Sequence, residues 1–204
     1  ISCFREKGIL CPRFVKANGL KQALRESEKI GFPLVIKPID NAGARGVKII
    51  HNSTELAAGI KESLSYSKSK TVLLEELLKG YEISTEAVVT NGKIYTTGFG
   101  DRNYSRLKEF APYFIEDGHN VGSRLSPVEQ DKITQATEQA IRALGINWGV
   151  AKGDVLVNKK GIYILEMAAR TSGGWFAVGT VPVATGVNIL EPLMKMAVGL
   201  PVGD

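Results

Sequence analysis

Phe32-Pro33-Leu34-Val35-Ile36-Lys37-Pro38 runs almost directly into Asp40-Asn41-Ala42-Gly43-Ala44-Arg45-Gly46-Val47. A short apolar run ending on one lysine, then small residues, then a second apolar run from Val47 to Ile50, predicts two buried strands joined by a pliable loop. A cation fixed at the end of a buried strand interacts more strongly than one on the surface. Gly43 and Gly46 would let backbone N–H groups approach an anion closely. The pattern suits a polyphosphate. It also suits a lysine snorkelling out of a strand end beside a glycine-containing hairpin.

The rest of the chain falls into two grammars. Phe14 to Ala17 reads as a short strand, and Leu20, Leu24 and Ile30 recur near helical spacing before Gly31. Ser53 is the expected N-cap of a helix carrying Leu56, Ile60 and Leu64. Thr71 to Leu74 is a short buried strand that leads into Glu75-Glu76. Tyr81 to Thr90 and Lys93 to Phe99 then alternate around Asn91-Gly92, a strong hairpin signal. A second, antiparallel unit therefore begins near Glu75, which gives an α+β class with subdomains at 1–74 and 75–204. Gly100 to Leu125 is polar, turn-rich and aperiodic, which suggests a mobile or substrate-facing loop with Asp101, Arg102 and Arg124 available to charged ligands. Ser126-Pro127-Val128-Glu129 has the form of a capping box with proline at the first helical position, and Gly145 closes that helix. Strands over Val150–Val157 and Ile162–Met167 follow, with a final helix over Val187–Val198.

With 204 residues, 44% hydrophobic and 23% charged, the chain can bury a substantial core. No apolar run approaches the length of a membrane span and the N-terminus lacks signal-peptide architecture, so the expected location is cytoplasmic with no membrane partner. Cys3 and Cys11 have neither C-x-x-C spacing nor nearby histidines, and read as reduced thiols without a role. The net charge of +5 is scattered among acids, which favours a small anion over nucleic acid. The start at Ile1 without methionine reads as a piece of a longer protein.

Glu82, Ser84 and Glu86 share one face of a strand, which makes that face either functional or simply solvated. A three-residue turn Lys159-Lys160-Gly161 would set Asp154 opposite Glu166, and two carboxylates so placed repel unless a proton or cation lies between them. Two carboxylates with substrate phosphates are a normal way to hold Mg²⁺. A two-residue turn would send them to opposite faces and leave ordinary surface acids. Arg170, before Thr171-Ser172-Gly173-Gly174, could grip a phosphate or carboxylate through two parallel hydrogen bonds, or serve as a structural partner for an acid. His51 and His119 are isolated and receive no role.

In combination these segments resemble the ATP-grasp superfamily of carboxylate-amine ligases over nearly the whole chain. Gly8-Ile9-Leu10-Cys11-Pro12 is similar to that family's entry motif, Gly31 to Pro38 to its lysine strand, and Asp40 to Val47 to its glycine-rich lid. Val72 to Glu82 is similar to its adenine hinge, and Leu165-Glu166-Met167-Ala168-Ala169-Arg170 to its metal-binding strand. The resemblance implies two α+β subdomains with ATP between them. It implies Lys37 on the ATP phosphates, Gly43 and Gly46 in the lid, and Glu75, Glu76 and Leu78 at the adenine hinge. It further implies Glu82 on the ribose, Asp154 and Glu166 on Mg²⁺ (with Mn²⁺ as a substitute), and Arg170 on the transferring group. The implied reaction turns a small carboxylate into an acyl-phosphate that an amine displaces. The chain looks most like amino-acid ligases and carbamoyl-phosphate-synthetase-like proteins, so bicarbonate or carbamate phosphorylation is an alternative chemistry. Ala168 stands where the family usually has asparagine, which leaves one or two metal ions open and makes a non-catalytic ATP-binding regulatory module the competing class. An N-terminal domain of the full-length chain is the expected partner, and a homodimer stays open.

Overall fold

The computed structural model describes residues 1–202. In chain order the elements begin with α1 (Ser2–Glu6), β1 (Phe14–Ala17), α2 (Leu20–Ile30), β2 (Leu34–Pro38), β3 (Lys48–Ile50), α3 (Ser53–Tyr66) and β4 (Val72–Glu76). Next come β5 (Tyr81–Thr90), β6 (Lys93–Asn103), α4 (Leu107–Phe110), β7 (Gly118–Val121) and α5 (Pro127–Ala143). The chain ends with β8 (Gly149–Asn158), β9 (Gly161–Ala168), a π-helical turn (Phe176–Thr180), α6 (Val181–Thr185) and α7 (Leu190–Ala197). Contacts divide it into a first unit, 12–79 with 104–118, and a second, 1–11 with 80–103 and His119 onward.

The first unit is a four-stranded sheet of order β1-β4-β2-β3 with antiparallel pairs throughout. Alternation along β2 sends Leu34 and Ile36 into a core with Ala23, Leu56, Ile60, Val72 and Leu74, and leaves Lys37 half-buried on the other face. β4 runs on to Glu76 and pairs with β1 and β2 over that length, so Glu75 and Glu76 lie within the strand. The N-cap of α3 is Asn52, whose Oδ1 accepts from the Glu55 amide at 3.0 Å, and the expected cap Ser53 is the first helical residue. Asparagine in extended backbone caps as well as serine does, and position 52 comes first.

The second unit is a five-stranded sheet of order β7-β6-β5-β8-β9. One face packs on α5, where Phe4, Ile83, Ile133, Ala140, Val155 and Ile164 form a core. The Ser126 capping box and Pro127 start α5 as the sequence predicts. Asn91 and Gly92 both take positive φ, 49° and 75°, the signature of the tight turn that matches strand twist.

Two expectations need correction. The aperiodic stretch 100–125 is not a free loop: β6 continues to Asn103, α4 and β7 lie within it, and 104–118 belongs to the first unit. There the Ile49 amide donates to the Pro112 carbonyl at 2.8 Å and Lys48 bridges Tyr113, so the segment is tied to the edge strand β3 by backbone bonds that polar composition does not advertise. The second correction is the β8–β9 turn, which has two residues: Asn158 pairs with Gly161 and Val155 with Ile164. A β-bulge then leaves Leu165 without a partner, and beyond it Asp154 faces Glu166 and Lys152 faces Ala168. The extra residue restores the pairing that the short turn would have broken.

Candidate functional site

Lys37, Gly43, Gly46, Glu75, Glu76 and Leu78 fall in the first unit, and Glu82, Asp154, Glu166 and Arg170 in the second. In the first unit Lys37 Nζ meets Glu75 Oε2 at 2.6 Å. Lys37 lies opposite Leu73 and Glu75 opposite Val35, so the two are diagonal neighbours on one face. Glu76 points the other way, where Arg13 donates from its amide to Oε1 at 2.8 Å and from Nε to Oε2 at 3.0 Å. Leu78 is half-buried in the irregular stretch after β4. The loop between β2 and β3 is exposed from Ile39 to Arg45, and Gly43 takes φ +70° with open space where a Cβ would stand. Gly46 differs. At φ +77° its Cβ would lie 2.9 Å from the Tyr66 ring and 3.0 Å from Pro38, so this glycine closes the loop onto the body of the unit. Asp40 pins the loop's other end by accepting from the Lys68 and Ser69 amides at 3.2 and 2.6 Å. Hydrogen bonds from Ser67 and then Ser69 pull its carboxyl down to about 2.

In the second unit Glu82, Ser84 and Glu86 of β5 share their face with Lys152 and Asp154 of β8 and Glu166 of β9. This face is no solvated sheet surface, because Ser84 is 3% and Glu86 0% exposed. Asp154 is its centre. Its Oδ1 accepts from Arg102 Nη1 at 3.0 Å and from Ser84 Oγ at 3.2 Å, and its Oδ2 from Lys152 Nζ. Burial pushes the Asp154 carboxyl up, but the charges of Arg102 and Lys152 and the bonds from Lys152 and Ser84 outweigh it and hold the group below its usual range. The same Arg102 nitrogen lies 3.8 Å from Glu82 Oε2. Glu166, opposite Asp154, is exposed and makes no hydrogen bond or ion pair among the described residues.

Arg170 follows the end of β9, is exposed, and donates from Nη1 to the Thr171 carbonyl at 3.0 Å. It belongs to the surroundings of Glu86, whose two oxygens accept from the Ser172 amide at 3.3 and 3.1 Å. Burial raises the Glu86 carboxyl, and the Ser172 bonds with the charges of Lys152 and Arg170 bring it only part of the way back. His119 of β7 lies 3.2 Å from Ser84 Oγ and packs against the Phe176 ring, centroids 4.8 Å apart. That ring fits because position 100 is glycine, where a Cβ would come within 2.4 Å of it.

Of the residues gathered here Lys152 has no place in the sequence reading, while Ser84 and Glu86 enter it only as a polar strand face and His119 only as an isolated histidine without a role. Lys152 carried a signal of the kind Lys37 did, being a lysine inside the strand-like run Val150–Val157 and on the same face as Asp154. Asp101, by contrast, is a structural acid. It is buried, accepts from Tyr81 Oη at 2.6 Å and from the Arg124 amide at 3.0 Å, and burial with this bond pushes the Tyr81 phenol up to about 12. Among the described residues no three His, Cys, Asp or Glu side chains gather as a cation-binding group, so a divalent ion here would take its protein ligand from the exposed carboxylate of Glu166 and need phosphate oxygens and water for the rest.

Residues 30–178 match the model of the ATP-grasp domain. The chain belongs to the ATP-grasp family. This ATP-grasp chain is 27% identical over 193 residues to the carbamoyl phosphate synthase large chain of Pasteurella multocida, a match covering 92% of this chain and 17% of that protein. It is 29% identical over 189 residues to the D-alanine–D-alanine ligase of Geotalea uraniireducens, covering 91% of this chain and 55% of that protein. Among solved structures, an L-amino acid ligase from Bacillus licheniformis shares the fold with a TM-score of 0.77 at 23% identity, over 95% of this chain and 45% of that one. The ATP-grasp chain thus spans between about a sixth and about half of these proteins. The family match agrees with the α+β class and the two antiparallel sheets. Among the described residues no helix is long and apolar enough to cross a membrane.

Proposed function

We propose that this chain is the nucleotide-binding and catalytic core of an ATP- and Mg²⁺-dependent ligase that activates a small carboxylate, an amino acid by preference, for attack by an amine. The observation that carries this reading is the buried polar face of the five-stranded sheet in an ATP-grasp chain. An acid held ionised by two cations, a second acid facing it and open to solvent, and an arginine beyond them are the charges that phosphoryl transfer to a carboxylate needs.

In this reading Lys37 and Glu75 are each other's counter-ion until a nucleotide takes both, the lysine by its phosphates and the glutamate by the adenine amino group. The exposed lid around Gly43 folds onto the phosphates, with Gly46 as its fixed end. Leu78 supplies hinge backbone, and Glu76 braces that hinge through Arg13. Glu82 takes the ribose hydroxyls. Glu166 holds Mg²⁺ with the phosphates, and Arg170 meets the transferring group. Bound Mg²⁺ supplies charge neutralisation at the phosphoryl oxygens.

The test is Mg²⁺-dependent ATP binding by the full-length protein, combined with a hydroxylamine trap for acyl-phosphate across a panel of amino acids and other small carboxylates. Binding is expected to collapse in Lys37→Ala and in Glu166→Ala, and one carboxylate class is expected to give a hydroxamate. Undiminished affinity in both variants would sink the proposal, and ATP binding with no hydroxamate from any carboxylate would favour the regulatory module.

A further inference from the structure

Asp154 and Glu166 face one another on paired strands, yet they are not equivalent carboxylates. Each Asp154 oxygen already accepts from a cation, Oδ1 from Arg102 and Oδ2 from Lys152, and the Ser84 hydroxyl adds a further bond to Oδ1. The three charged side chains are 9% (Asp154), 11% (Lys152) and 18% (Arg102) exposed, so their mutual attraction is weakly screened. Arg102 and Ser84 fill Oδ1, so an ion ligated by Asp154 would have to share Oδ2 with the Lys152 ammonium and sit against a like charge. Two positions after Glu166, on the same face of β9, stands Ala168, opposite Lys152, and its methyl group offers no ligand. Among the described residues of this face Glu166 is the carboxylate that is exposed and makes no hydrogen bond or ion pair.

We infer that this face takes one divalent ion per nucleotide, held by Glu166 and the phosphates, and that Arg102 and Lys152 supply at Asp154 the positive charge a second ion would bring. The inference rests on the ligase reading given above and assigns Asp154 a different task within it. Asp154 is the anchor of two cations on the polar face of the five-stranded sheet, and metal ligation falls to Glu166. Lys152 and Arg102 are then positioning residues whose charge replaces an ion, so losing them should change how many ions bind as well as how tightly.

The experiment counts metal and nucleotide separately. The full-length protein is saturated with the non-hydrolysable analogue AMP-PNP and titrated with Mn²⁺, bound analogue being measured by equilibrium dialysis and bound Mn²⁺ by electron paramagnetic resonance. The expected result is a plateau at one Mn²⁺ per AMP-PNP with no spin coupling between ions. Two Mn²⁺ per AMP-PNP, coupled as ions a few ångströms apart would be, overturns the inference while leaving the ligase reading intact. Absence of AMP-PNP binding overturns the ligase reading and the inference with it. In the double variant Lys152→Gln and Arg102→Gln, Asp154 loses its counter-ions, and the count should rise to two. A double variant that binds AMP-PNP but stays at one overturns the claim that these cations exclude the second ion. Should that variant fail to fold, the count on the parent protein decides alone.

Discussion

Lys37 meets Glu75 through one contact of 2.6 Å beside a loop exposed from Ile39 to Arg45, whereas Lys152 and Arg102 close on Asp154 from two sides with Ser84 adding a bond. Both arrangements set lysine against acid on an antiparallel sheet. The first joins a 23% exposed lysine to a buried glutamate, so a ligand that takes the lysine must also take the glutamate if no buried charge is to be left behind. The second is a network in which cations 11% and 18% exposed share one buried acid, and removing that acid strands both charges. One is built to be exchanged and the other to stay.

The sharpest way to break this comparison is Asp154→Ala, which leaves Arg102 and Lys152 without their shared acid. It is expected to destabilise the second unit by about 3–5 kcal/mol, the cost of an uncompensated buried charge, read by urea denaturation. Lys37→Met should cost less, about 1–3 kcal/mol, because it leaves only the Glu75 carboxylate under-satisfied. The order should reverse for nucleotide: Lys37→Met is expected to weaken ATP binding more than its effect on stability would suggest. Equal stability losses in the two variants would erase the distinction between an exchangeable pair and a permanent one.

Local features and the site of the second unit were unequally legible from sequence. Phe14–Ala17, the helix ended by Gly31, the Asn91-Gly92 hairpin and the Ser126 capping box could be read because each rests on neighbours in the chain, and local rules decide them. The site of the second unit rests on partners far apart in sequence. The polarity of 100–125 reads as a loop at Arg102, and only the pairing of β6 with β5 brings that side chain to Asp154. The bulge at Leu165 was hidden for the same reason. An unpaired residue inside an apolar strand leaves no mark in composition, and the Asp154–Glu166 pairing that a three-residue turn predicts arises in the structure from a two-residue turn plus the bulge. Deleting Leu165 tests the bulge directly. Because Ile164 already pairs with Val155, the deletion keeps Glu166 opposite Asp154 and removes only the local bend. Mg²⁺-dependent ATP binding should then weaken by less than about tenfold, or 1.4 kcal/mol. A larger loss would mean that the bend aims the carboxylate as well as the register.

The smallest expected effect concerns the two depressed aspartates, Asp40 in the first unit and Asp154 in the second. Buried cations hold Asp154 ionised against its desolvation, whereas Asp40 is at the surface and is held by the Ser67 and Ser69 bonds, which bring it to about 2 from an ordinary 3.8. A carboxyl depressed in the folded state stabilises fully above its unfolded value and loses that contribution as pH falls through its folded value. Asp40 should therefore help anchor the lid above about pH 4 and cease to do so near pH 2. Asp40→Asn keeps the size of the side chain and removes the charge. The stability difference between parent and Asp40→Asn, measured by urea denaturation along a pH series, should be constant above about pH 5 and shrink through that window. A difference that persisted unchanged to pH 2 would show that the lid anchor works by shape and neutral hydrogen bonding. Asp40 and Asp154 would then differ in the kind of force that holds them and not only in its strength.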